Sequence, residues 1–507
     1  MKTFFCSLCL LLMINTYSQP IPDYKEPFRP QYHYTPAVNW CNDPNGLVYH
    51  NGVYHMFHQY NPFGNVWGHM SWAHAVSKDL VHWKQLPLAL AEEKDTMIFS
   101  GTCVVDKNNT SGFGKKGGNA PMVAIYTGHI ENVNQSQHLA YSLDNGLSWT
   151  KYNRNPILDL HKKDFRDPKV FWYAPKSYWV MAVVLPIEHI VQFYSSKNLV
   201  DWKHLSDFGP AGDTAAVWEC PDLVQVPIEG NPAQKKWVLQ TSMNAAMQYF
   251  VGSFDGEKFI NENSDARVLR PDYGPEYYAA ISFNQLPAAQ LPTAIGWINN
   301  WNYANDIPTM PWKGAMSLPR TMTVKKVKND WILLQQPVAA IKQLRQPMLL
   351  QLTSKTVDGV LPLQAKSVQC QIGLQVAPGS TGRTGIRLAS GNGHYFEIGY
   401  DAEKQELYID RSKTAQQAFN KSFEKLNRYT VPLALDKKPL RLTIYLDNSI
   451  AEVFANDGEA VLTTQFFAAP AETGMELFSE GGKSRLHSAQ IWPMKAIWRM
   501  QPGSENL

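Results

Sequence analysis

Three acids stand in settings that would hold a carboxylate at the end of a rigid strand. Asp43 lies in Trp40-Cys41-Asn42-Asp43-Pro44-Asn45-Gly46. The proline behind it predicts extended backbone for Asp43, and Asn45-Gly46 predicts a tight turn just beyond. Asp167 also precedes a proline, in Arg166-Asp167-Pro168, and an apolar run over 169–173 follows. Glu219 sits in Trp218-Glu219-Cys220-Pro221-Asp222, ahead of Leu223-Val224. Singly, each segment also reads as a surface turn. Together they are the equipment of glycoside hydrolysis, which needs one carboxylate ionised to attack or stabilise positive charge and one neutral to protonate the leaving oxygen. Arg166 is expected to favour ionisation of its neighbour Asp167.

Whether the acids meet depends on the elements that carry them. Ser77-Lys78-Asp79-Leu80-Val81-His82-Trp83 recurs as Ser196-Lys197-Asn198-Leu199-Val200-Asp201-Trp202, with looser copies at 142–149 and 253–259. Each copy follows a short alternating strand and places a turn before an aromatic that begins another strand. The aromatics Trp83, Trp149, Trp202 and Phe259 lie 66, 53 and 57 residues apart. That period fits one four-stranded propeller blade with long loops. The gaps from Asp43 to Asp167 and from Asp167 to Glu219, 124 and 52 residues, are then about two blades and one blade. Strands of equivalent position would bring all three acids to one end of the central channel.

Near Lys325 the pattern changes. Residues 334–346 are consistent with a short helix at a boundary, and alternating strands follow: Leu442 to Leu446, a turn at Asp447-Asn448, Ile450 to Phe454, and a hairpin signal at Asn456-Asp457-Gly458. Period-two patterning with frequent turns predicts a β-sandwich. The expected division is a signal peptide over 1–18, a propeller over 19–335, a linker over 336–347 and a sandwich over 348–507.

Lys2, the apolar run around Leu8 to Ile14 and the small residues Thr16 and Ser18 read as a secretory signal cleaved after Ser18. The run is too short to span a bilayer and no later segment qualifies, so the reading is an exported protein, periplasmic or secreted, with no transmembrane segment. A net charge of +3 without long charge runs gives no reason to expect nucleic acid or an anionic membrane as partner. Nothing specifies an oligomeric state. Cys41, Cys103, Cys220 and Cys370 are expected as buried free thiols; none is spaced for zinc. His55 and His58, three apart in a strand, face opposite sides and cannot chelate together. Cys41 and Cys220 have no histidine partner for a thiol mechanism and are expected to pack near the site.

These segments resemble glycoside hydrolase family 32, the β-fructofuranosidases. The resemblance rests on Trp40 to Gly46, Phe99-Ser100-Gly101, Arg166-Asp167-Pro168 and Glu219-Cys220-Pro221. It extends to His58-Gln59-Tyr60-Asn61-Pro62, Trp67-Gly68, Asn300-Trp301-Asn302-Tyr303, Pro311-Trp312-Lys313-Gly314 and, in the second domain, Asp447 to Phe454. It implies an all-β chain, a five-bladed propeller followed by a sandwich, and a retaining mechanism without metal or cofactor. It further implies Asp43 as nucleophile, Asp167 as transition-state stabiliser and Glu219 as acid/base. Retention would set the Asp43 and Glu219 carboxyl groups about 5–5.5 Å apart. Asn42, Gln59, Trp67, Phe99 and Ser100 occupy positions that line the family's fructose pocket. Arg166 is expected beside the sugar, and Trp301 at the channel mouth is expected to stack on it. Cys41 stands where methionine is common, Thr102 where serine is frequent, and Glu276 where aspartate is usual, so no role is carried to Glu276. The implied activity is exo-acting hydrolysis of fructans or fructo-oligosaccharides. The alternatives are a sucrose-preferring invertase, a fructosyltransferase, or a noncatalytic sugar-binding propeller.

Overall fold

Between Asn39 and Pro337 the alternating patterns form five blades of antiparallel strands. The computed structural model describes residues 24–498, so the segment read as a signal peptide lies outside the described residues. The innermost strands are Asn39–His50, Met97–Val105, Arg166–Tyr173, Glu219–Ile228 and Tyr278–Ser282. Each packs against the next, and the fifth returns to the first. Trp312–Lys313 closes the ring by pairing in parallel with Asn39 and Trp40. Asn284 is a second fastening. Its backbone bridges Leu47 and Tyr49 of the first blade, while its side-chain amide donates to Thr102 Oγ1, Cys103 O and Val170 O at 2.8–3.1 Å.

All four copies of the sequence repeat are the turn between the third and fourth strands of a blade. The reason is local hydrogen bonding: Asp79, Asp144, Asn198 and Asp255 each accept from backbone N–H groups two to four residues ahead. The fifth blade lacks a copy, and its strands Arg320–Val327 and Asp330–Pro337 are joined by a tighter turn at 328–329. The turn expected at Asn45-Gly46 is absent. The strand Asn39–His50 runs through it, with Gly46 at φ 54° and so close to Phe57 that a Cβ would meet its ring at 2.7 Å. The helix considered for 334–346 is instead the end of a strand at Pro337 and a 3-10 helix over Ala339–Leu344.

Beyond it, two long strands, Leu350–Lys366 and Gly474–Pro493, carry the sandwich. Residues 476–480 of the second pair with Arg383–Gly391, and residues 485–493 pair with Gln369–Ala377, so one strand serves both layers. The core between them is aliphatic, with Ile372, Ile386, Ile398, Ile444, Val453 and Ile491 fully buried. Against the propeller the contact combines apolar packing, with Val81 and Leu318 clustered with Tyr445, Phe454 and Val461, and buried polar groups. His33 touches Asp447 and Glu452, and Arg320 donates to Asp272, Glu452 and Thr463.

Candidate active site

In all five blades the inner strand bulges near its start. The register slips between Cys41 and Pro44, Ile98 and Gly101, Arg166 and Lys169, Glu219 and Asp222, and Tyr278 and Ile281. Each time two residues oppose one on the neighbouring strand, a device that re-aims side chains. The bulged pairs are Asn42-Asp43, Phe99-Ser100, Asp167-Pro168, Cys220-Pro221 and Ala279-Ala280. Arg166, Glu219 and Tyr278 stand immediately before theirs, and Gln59 is the residue opposing Asn42-Asp43. Asp167, Cys220 and Ala279 adopt left-handed φ values of 65°, 46° and 51°. Asp167 therefore departs from the extended backbone favoured before proline, and such departures cluster where surrounding structure enforces them.

The bulges bring the three acids together. Cys220 Sγ lies 3.6 Å from Asp43 Oδ2 and 3.5 Å from Asp167 Oδ2, joining the two aspartates. The Cys220 backbone N–H also donates to Asp167 Oδ2 at 2.9 Å. Ser100 Oγ donates to Asp43 Oδ2 at 2.7 Å, whereas Asp43 Oδ1 and Gln59 Nε2 are buried without a hydrogen-bond partner among the described residues. Asn42 Oδ1 is held by the Trp40 indole at 2.8 Å. Glu219 Oε1 accepts from Arg166 Nε and Nη2 at 3.2 and 3.1 Å, and Oε2 accepts from the Tyr278 hydroxyl. Arg166 is thus directed at Glu219 rather than at Asp167, whose Oδ2 is 3.9 Å away.

Electrostatics follow from burial. Removal from water pushes Asp43 above the ordinary carboxylate value; the Ser100 hydrogen bond opposes this and the Glu219 charge adds to it. Asp167 is pushed up to about 7, because desolvation, with the charges of Glu219 and Asp43, outweighs Arg166 and the Cys220 N–H. Arg166 does favour the ionised form of Asp167, as its adjacency predicts, but burial outweighs it. Burial also pushes the Cys220 thiol well above its usual value, so it is a neutral donor to the carboxylates. It does more than pack.

At the rim, Trp67 is 40% exposed and meets Phe99 edge-on at 6.2 Å, and Phe99 stacks on His129 at 4.2 Å. Trp301 is partly buried among Trp40, Trp297 and Tyr278. Glu276 points away from the acids. It accepts from Arg411, Tyr303 and the Gln465 backbone, tying the propeller to the sandwich. Tyr278, Gln135 and Asp164, which hold Glu219 and Arg166, are not evident from the sequence; Tyr278 stands before the fifth bulge, and Gln135 and Asp164 are identified by their contacts with Arg166. Cys41, Cys103, Cys220 and Cys370 are buried and unpaired. His55 meets His74 on the adjacent strand at 3.1 Å, and burial pushes His55 down to about 4. Among the described residues no group of three or more His, Cys, Asp or Glu could hold a metal ion.

Residues 33–337 match the glycosyl hydrolases family 32 N-terminal domain, and residues 337–493 match the family's C-terminal domain. The chain belongs to glycoside hydrolase family 32. Among family relatives, the levanase of Bacillus subtilis is 43% identical over 98% of this chain and 75% of its own. The extracellular exo-inulinase of Aspergillus niger is 37% identical over 94% of this chain and 96% of its own. The crystal structure of exo-inulinase from Aspergillus awamori superimposes with a TM-score of 0.90 at 36% identity, covering 94% of this chain and all of that one. The family's propeller and sandwich are the fold described above.

Proposed function

We propose that this protein is an exported, exo-acting β-fructosidase that removes terminal β-D-fructofuranosyl residues from fructans and fructo-oligosaccharides with retention of configuration. The observation that carries the reading is the convergence of Asp43, Asp167 and Glu219 through Cys220 and Arg166 on three inner-strand bulges. The levanase and exo-inulinase relatives support fructan as substrate. Export and the division at 335 and 348 belong to the same reading, resting on the N-terminal sequence pattern and the change of strand periodicity.

In the first step an Asp43 oxygen bonds to the anomeric carbon of fructose as the glycosidic C–O bond breaks, and the Glu219 proton passes to the leaving oxygen. In the second, Glu219 takes a proton from water, whose oxygen displaces Asp43 and releases fructose. Asp167 accepts hydrogen bonds from hydroxyls of the fructose ring as positive charge develops. Asn42, Gln59 and Ser100 orient the ring, while Trp67, Phe99 and Trp301 bound it.

Fructose release from sucrose, inulin and levan by wild type, Asp43→Ala and Glu219→Gln tests the reading. Wild type should release free fructose from the fructans, and both variants should lose at least about a thousandfold in kcat. A folded wild type inactive on all three would overturn it. A ladder of oligosaccharides in place of fructose would reject exo action.

A further inference from the structure

The loop 299–311, which joins Thr293–Ile298 to Trp312–Lys313, meets the active site on one side and the sandwich on the other. We propose that the sandwich shapes the sugar pocket through this loop: Arg411 is a positioning residue that acts through Tyr303 on Trp301. That Trp301 bounds a sugar at all rests on the fructosidase reading above.

The loop divides its side chains between two clusters. Trp301 and Ala304 pack with Trp40, Trp297 and Tyr278, and the Tyr278 hydroxyl is the one that holds Glu219. Tyr303 and Ile307 are buried instead with Phe423 and Phe467 of the sandwich, where the Tyr303 ring meets Phe423 edge-on at 5.1 Å. The two sides are rigidly joined. The Tyr303 N–H donates to Asn300 O at 3.0 Å and closes a turn around Trp301, and Asn300 Nδ2 ties the turn to Pro275 O at 2.8 Å. A displacement of Tyr303 must therefore carry Trp301 with it.

The polar anchor of Tyr303 comes from the second domain. Arg411 Nη2 donates to the Tyr303 hydroxyl at 3.0 Å and Nη1 donates to Glu276 Oε1 at 2.5 Å, while the Tyr303 hydroxyl donates to the same Glu276 oxygen. Arg411 is itself held by Leu426 O and Gln465 O, each at 2.9 Å, and lies over the Phe423 ring at 3.8 Å. All three side chains are buried, so a planar fork with these partners has one placement. Asn420 of the sandwich adds a second tether, donating to Asp306 at 2.6 Å. An interface needed only for cohesion could be fastened anywhere. Here a buried guanidinium is spent on the loop that carries a wall of the pocket, and a misplacement of about 1 Å at such a wall is felt in turnover.

The test pairs a spectroscopic readout with kinetics. In protein labelled with 5-fluorotryptophan, the Trp301 resonance is the one lost in Trp301→Phe. Tyr303→Phe keeps the ring and removes the hydroxyl; Arg411→Lys keeps the charge and removes the fork. Each should move the Trp301 fluorine resonance and, in unlabelled enzyme, raise KM on fructan about fivefold with a smaller change in kcat. In the Trp301→Ala background, Tyr303→Phe should change KM by less than about twofold, because its route to the sugar is gone. Glu459→Gln, which breaks the ion pair with Lys325 elsewhere on the same interface, should leave the resonance and KM in place. A Trp301 resonance unmoved in folded Tyr303→Phe, an unchanged KM in that variant, or a KM change that persists in full without Trp301 would overturn the proposal. Wild type that releases no fructose would strike the fructosidase reading instead, and the resonance would still decide whether Arg411 and Tyr303 position Trp301.

Discussion

Arg166 donates two hydrogen bonds to Glu219, its partner across a blade boundary, and none to Asp167, its neighbour in sequence. A guanidinium fork on one carboxylate oxygen fixes where that carboxylate points. With Tyr278 on the other oxygen, Glu219 is held at both ends although its side chain is 26% exposed. The acid that must exchange a proton with sugar and then with water is thus the most accessible of the three and is still oriented.

Replacing the fork by a point charge should therefore misplace Glu219. Arg166→Lys is expected to lower kcat on fructan by about 10²-fold, with a smaller change in KM, because the lost positioning matters most where the proton moves. Steady-state kinetics decide it. A change confined to KM would make Arg166 a sugar-binding group only.

Ser100 acts on the nucleophile. Its hydroxyl donates to Asp43 and stabilises the ionised form, against burial and Glu219, which raise the proton affinity. Ser100→Ala removes the stabilising contact, so the Asp43 pKa rises further. Since Asp43 attacks only when ionised, the acid limb of kcat/KM against pH should move to higher pH in the variant, with kcat lower throughout. An acid limb that stays in place would remove Ser100 from control of Asp43.

The acids and the blades were legible because both recur: the turn sequence repeats at blade length, and Asp43, Asp167 and Glu219 fall near multiples of it. What was not legible depends on register. A bulge leaves little mark on composition, so Asn45-Gly46 read as a turn although the strand continues through it with a second register slip between Asn45 and Val48. Arg166 read as the partner of Asp167 because adjacency is visible in sequence, whereas a contact 53 residues away is not. Glu276 carries no role that the sequence alone assigns. Its partner Arg411 lies 135 residues on, in the sandwich, and only the packed domains identify it as an interface residue.

Below the acids, Lys169 and Asp222 form an ion pair at 2.7 Å with both side chains almost wholly buried, and Lys169 also donates to Ser282 O. Lys169→Met leaves the Asp222 charge without its counter-ion and is expected to cost about 3–5 kcal/mol of stability. Lys169→Met/Asp222→Leu should recover most of that loss, because both buried charges are gone. Urea unfolding midpoints of the two variants measure the difference. A double variant no more stable than the single one would show that the pair contributes packing, not charge balance.

The contact between propeller and sandwich should be sensitive to pH through His33. Its Nδ1 faces Asp447 at 2.8 Å and its Nε2 faces Glu452 at 3.0 Å. A neutral imidazole carries one N–H and can satisfy only one carboxylate, so two such contacts select the imidazolium. Desolvation opposes the charge, but Asp447 and Glu452 outweigh it and raise the His33 pKa from 6.5 to about 9. The raised value means that the folded protein holds this proton more tightly than the unfolded chain. The resulting stabilisation is complete below about pH 6.5 and is lost as pH rises through about 9. Glu452 works in the opposite direction: Arg320 and His33 hold it below its usual value against desolvation, so its contribution is lost as pH falls through its lowered pKa. Between these limits the contact is at its strongest. On raising the pH from 6.5 to 9 the wild type should lose on the order of 3 kcal/mol from this group, read as a falling Tm. His33→Gln, which keeps hydrogen-bonding capacity without a titrating charge, should start from a lower Tm and lack the His33 component of that slope. Equal slopes for wild type and variant across the window would mean that His33 is not protonated in the fold.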